Sequence, residues 1–163
     1  LEKAWNKSCG LTPMHLQKLM YFANGWYMAF YNEGDEILPL INEPFQVWEY
    51  GPVCSSIYHE FKGFGSNIIS KNYLMRELEI STDLSDVQIR INTIPSNAEQ
   101  VIVLLNNVWN KYAHLTALQL STMTHSEDPD NPWRIAKENA EKQGIVRGKE
   151  ISNEDIQIYF KKI

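Results

Sequence analysis

Cysteine is scarce in this sequence: two in 163 residues, Cys9 and Cys54, far apart and in no CxxC arrangement. No disulfide framework follows from such a pair. Two unpaired thiols fit a reducing compartment, so a cytoplasmic location is expected. Long apolar runs are missing as well. No stretch approaches the ~18 consecutive apolar residues that read as a membrane span, and no charged-then-apolar leader opens the sequence as given. A membrane role is therefore not expected. Basic residues are in the minority, 15 Lys and Arg against 20 Asp and Glu, for a formal charge of −5. Nucleic-acid binding depends on many Lys and Arg contacts to phosphate, so no nucleic acid is expected as a partner of this chain alone. The GxSxG elbow, the glycine-rich phosphate loop and GxGxxG are all absent.

What is present is material for a core. Hydrophobic residues make up 44% of the chain and aromatics 12%, with five Trp and eight Tyr. Large rings bury much apolar area each. One domain over residues 1–163 is expected, with no internal repeat and no linker.

Local signals predict a mainly α fold with a small β-hairpin element. Thr12-Pro13 opens a first long helix, with Thr12 as N-cap and Pro13 in the first turn. Leu16, Leu19, Met20, Ala23, Tyr27 and Phe30 follow at helical spacing, and the helix ends near Tyr31. Phe45 to Tyr50 reads as a short strand, and Gly51-Pro52 as the corner into a second helix carrying Val53, Ile57, Tyr58 and Phe61. Val87 to Ile91 alternates apolar and polar, so the hairpin is placed in residues 76–94. Ser96 with Glu99, Thr116 with Gln119, and Ser152 with Asp155 have capping-box or N-cap spacing. Asn131-Pro132 opens a further helix, at whose start Trp133 is expected to plug the core.

The first helix carries a second apolar stripe. At about 100° per residue, Met14, Tyr21, Gly25 and Met28 fall together, opposite the Leu16–Phe30 face, with Gln17 and Lys18 beside them. Two readings stand. The helix lies at the centre of the core, or the stripe is a Met- and Tyr-rich docking face covered by a partner. Tyr50 and Pro52 join the candidate partner-binding set, because the Tyr50-Gly51-Pro52 corner presents helix N–H groups beside an aromatic ring.

Chemistry is harder to find. His59-Glu60 begins like a zinc-protease motif, but Gly63 stands where the second His is required. His59, His114, His125 and Glu127 meet on a metal only if tertiary structure brings them together. Glu127, Asp128 and Asp130 lack the alternate oxygens, central Gly and distal Glu of a calcium loop. Cys54 early in a helix is either a thiol activated by the dipole or a small packed residue.

Four segments together resemble a known family. They are Leu11 to Tyr27 (LTPMHLQKLMYFANGWY), Trp48-Glu49-Tyr50-Gly51-Pro52-Val53 running into Tyr58-His59-Glu60-Phe61-Lys62, Leu120-Ser121 through Thr124-His125 to Pro132-Trp133, and the Ile156–Phe160 segment. In this order they resemble the Panacea domain, the SocA-like antitoxins and phage-associated proteins. The resemblance implies a mainly helical domain that neutralises a toxin, encoded by the adjacent gene, through direct binding. It also implies, as an alternative, an adaptor that delivers a partner to a ClpXP-type protease. No catalytic residues and no cofactor come with the family, so a non-enzymatic role is expected. A His and carboxylate hydrolase is the rival from another class. Residues 70–95 and the acidic 126–131 loop depart from the family pattern.

Overall fold

A computed structural model describes residues 10–32, 37–70, 72–73, 98–144 and 148–163. Helix α1 (Pro13–Tyr31) starts where its sequence says: Thr12 accepts a hydrogen bond from the His15 N–H, and Pro13 sits in the first turn. Strands β1 (Phe45–Trp48) and β2 (Gly51–Cys54) form an antiparallel hairpin, with Phe45 opposite Cys54 and Trp48 opposite Gly51. Helix α2 (Ser55–Phe61) and a short 3₁₀ turn (Lys62–Phe64) follow. Then come α3 (Ala98–Tyr112), α4 (Ala117–Thr124), α5 (Pro132–Lys142) and α6 (Asn153–Lys162).

The fold is mainly helical, and α1 is its centre, packed against α2, α3, α4, α6 and β2. Tyr21, Phe22, Ala23 and Met28 are buried on it. Asn24 uses its carbonyl oxygen to hold the Ile41 N–H, and Asn32 grips the backbone of Leu38 and Met28. These polar side chains hold Leu38 and Ile41 against α1 on the approach to β1. Among the described residues no helix is long and apolar enough to cross a membrane.

Three caps expected from spacing are made. Thr116 and Gln119 form a reciprocal capping box, Asn131 accepts from the N–H groups of Trp133 and Arg134, and Ser152 accepts from those of Glu154 and Asp155. The acidic loop before α5 is tied locally. Asp128 accepts from the Asp130 N–H, Asp130 pairs with Lys162, and the Glu127 carbonyl accepts from Arg134.

Other expectations need correction. The hairpin placed at 76–94 and the Ser96 cap lie outside the described residues. A hairpin is found at 45–54, and Gly51-Pro52 opens β2 rather than a helix. The reason is non-local. Segment 148–151 lies along β1, with Val47 donating to the Lys149 carbonyl and Ile151 to that of Phe45. The outer side of β2 is met by side chains of α1. Phe30, assigned to the core-facing stripe, is 64% exposed and stacks on Trp26.

Gly25 marks a close approach between α1 and α6. A Cβ there would meet three Phe160 ring atoms at 2.4–2.5 Å. That ring is held edge-on by Tyr21, Phe22 and Trp26, so it has nowhere to swing. Gly25→Ala gains ~1 kcal/mol of helix propensity, but overpacking costs about 1–3 kcal/mol or more. A lower melting temperature is expected; an unchanged or raised one would show that the two helices separate without penalty.

Candidate functional site

The side chains of Gln17 and Lys18 explain the geometry of the hairpin end. Both sit on a helix that is apolar around them, and both are buried. Gln17 makes a two-point clamp on Cys54: its amide nitrogen donates to the Cys54 carbonyl at 2.9 Å, and its oxygen accepts from the Cys54 N–H at 2.9 Å. This imitates the pairing a third strand would supply. Lys18 Nζ donates to the Pro52 carbonyl at 2.9 Å, and Ser121 Oγ donates to the Tyr50 carbonyl at 2.8 Å. The Tyr50-Gly51-Pro52 turn is thus held from α1 on one side and α4 on the other. Gly51 takes a φ of +93°, and a Cβ there would lie 2.6 Å from Thr124 Oγ1 and 2.9 Å from Lys18 Nζ.

Lys18 is 1% exposed. Among the described residues no carboxylate forms an ion pair with it. Burial without a counter-charge lowers its pKa from 10.5 to about 7. His125, beside Gly51, packs its ring on Trp133, and its Nδ1 is buried without a hydrogen-bond partner among the described residues.

Above Lys18 lies a groove of about 930 Å³ between the start of α1, the hairpin, α2 and α5. Trp48, Tyr50, Tyr58 and Trp133 line it, together with Lys18, Lys62, Lys137 and Lys149 on the cationic side and Glu49 and Glu141 on the acidic side. Trp48 and Tyr58 meet edge to face at 4.5 Å. Lys137 stands 5.0 Å above the Trp133 ring. The groove wall is therefore an aromatic surface with ammonium groups set into it.

The candidate partner-binding residues divide. Met14 and Tyr50 both line the groove, and Tyr50 is 60% exposed. Tyr21, Gly25 and Met28 are in the core, so they form no docking face. Tyr21 lies against Phe45 and Phe160, and the Met28 carbonyl accepts from Gln157. Pro52 is buried in β2 and contributes its carbonyl to Lys18. The helix N–H site imagined at this corner does not form, because α2 begins at Ser55.

The chemical candidates are dispersed. His59 is exposed and contacts Lys62. Among the described residues no three of His, Cys, Asp and Glu are placed to share a metal. Cys54 ends β2 rather than sitting within a helix, and burial pushes its thiol pKa up, against activation.

Among the described residues, fold and groove define a mainly helical protein with a large cationic and aromatic recess. Residues 16–134 match the family described as "Antitoxin SocA-like, Panacea domain", which is more than half of the chain, and the chain belongs to that family. It is also similar to a protein named Antitoxin SocA from Caulobacter vibrioides (strain NA1000 / CB15N), at 26% identity over 135 residues. The alignment covers 83% of this chain and 64% of that relative, so the chain spans less than two thirds of the relative's length. No solved structure matches the chain.

Proposed function

We propose that this chain acts as a cytoplasmic antitoxin, neutralising a toxin encoded by the neighbouring gene through direct binding at a fixed ratio. Membership of the SocA-like family over residues 16–134 carries this reading. The groove supports it, because aromatic and Met side chains such as Trp48, Tyr50, Tyr58 and Met14 are enriched at protein-binding surfaces. Met14 and Tyr50 are the two expected contacts from the original set that face this groove. No catalytic role is assigned to any residue.

Masking predicts that polar side chains outside the groove matter little one by one. The combined change of His59, His125 and Asp128 to Ala is expected to leave neutralisation within about tenfold, ~1.4 kcal/mol. The test is co-expression with the adjacent gene, read as growth, with toxin and antitoxin quantified in the same cells. Rescue with both proteins recovered as a complex is the expected result. Disappearance of the toxin only when a ClpXP-type protease is intact would replace masking by delivery. A folded triple variant that fails to rescue, where wild type rescues at sub-stoichiometric dose, would favour an enzyme.

A further inference from the structure

The groove is cationic in an acidic protein. Its lining holds four lysines against two glutamates, whereas the whole chain carries 15 basic and 20 acidic residues. Lys137 is matched by Glu141 at 3.9 Å. Among the described residues, Lys18, Lys62 and Lys149 have no carboxylate partner. Among the described residues Lys62 reaches the imidazole of His59, and Lys149 the amide oxygen of Gln143. Lys18 is the deepest of them and spends one of its three donors on the Pro52 carbonyl. A buried amine that lacks a counter-ion tends to give up its proton, and an anion that reached it would favour the charged form again.

We propose that the groove takes an acidic peptide segment of the bound partner, with one carboxylate against Lys18 and a neighbouring apolar side chain between Trp48, Tyr58 and Tyr50. The inference rests on the protein-binding reading above. Size agrees: about 930 Å³ is near the upper end of the ~300–1,000 Å³ of ligand pockets, far more than a lone ion fills. The aromatic walls call for apolar contact that a bare anion lacks. Charge placement argues against an oligonucleotide, since Glu49 and Glu141 line the same groove and would face successive phosphates. A peptide with a single acidic residue between apolar ones meets the lysines without that conflict.

The probe is a phage-displayed library of random dodecapeptides, panned on the full chain. Enriched peptides are expected to share an Asp or Glu flanked by aromatic or aliphatic residues. A fluorescein-labelled synthetic copy should lose about tenfold or more in affinity for Lys18→Met. Met keeps the length of the side chain without the charge. If Lys18→Met melts early, the Lys62→Glu, Lys149→Glu double variant decides, because its changes lie outside the core and should also weaken binding about tenfold. Enrichment of peptides without acidic residues, no enrichment, unchanged affinity in the folded variants, or displacement of the peptide by an octauridylate would each overturn the proposal. Growth rescue by the antitoxin alongside any of these results would leave the masking reading standing while removing this one.

Discussion

Replacing Trp133 by alanine is expected to cost about 3–5 kcal/mol of folding stability, the range for losing a large buried aromatic. The indole is 7% exposed at the start of α5. Its Nε1–H donates to the Trp48 carbonyl at 3.0 Å, which ties α5 to the end of β1. Its face packs against His125, and Lys137 covers it from the solvent side. Truncation therefore opens a cavity, removes the hydrogen bond that ties α5 to β1 and frees a neighbour of the groove at once. Each kcal/mol corresponds to roughly 2–4 °C in a protein of this size, so thermal melting reads the effect easily. A loss under about 1 kcal/mol would mean the ring contributes to a surface rather than to the core.

The second large effect concerns pH. Unfolded, the Lys18 amine keeps its proton to about its ordinary 10.5; folded, burial makes it lose that proton near 7. Between those values the unfolded chain binds the extra proton, so stability rises with pH. Each pH unit well inside the window is worth ~1.4 kcal/mol, and the step from pH 7 to pH 9 should add ~2 kcal/mol. Burial raises the pKa of Cys54 and of Tyr21, which act in the opposite sense, but only above their ordinary 9 and 10. Denaturant unfolding of wild type and Lys18→Met across pH 7–9 isolates the amine. The wild-type midpoint should climb, and wild type should gain on the variant by that amount, whichever of the two is more stable at pH 7. Parallel curves would mean Lys18 is charged and solvated at neutral pH.

Features that depend on neighbours in sequence were legible in it. The start of α1 at Thr12-Pro13, the Thr116 capping box, and the Asn131 and Ser152 caps each involve backbone groups within three residues. The all-round apolar character of α1 also pointed to its central place. What failed depends on distant segments. The strand at Phe45 was legible, but its partner Gly51–Cys54, read as the entry to a helix, is a strand because Gln17 clamps it while 148–151 covers the other side of β1. The Tyr21, Gly25, Met28 stripe resembled a docking face until Phe45, Phe160 and Gln157 arrived against it.

The groove was the least legible part. Helical periodicity places a Gln-Lys pair at a water-facing edge by default, yet both are buried. The available signal was their position: two polar residues on a helix otherwise apolar on both faces need backbone groups to satisfy them. The segment Tyr50 to Cys54 supplies those groups. The groove walls come from α1, the hairpin, α2 and α5, and their convergence is a property of the tertiary fold alone.

The most direct test of the central claim is a titration of the purified product of the adjacent gene with this protein, following the toxin's own activity against molar ratio. Masking predicts a linear fall to a sharp break at a fixed whole-number ratio, with toxin of unchanged mass and full activity recovered when the complex is dissociated. Complete inactivation at a small fraction of one equivalent, or a toxin that stays inactive or altered in mass after separation, would contradict it.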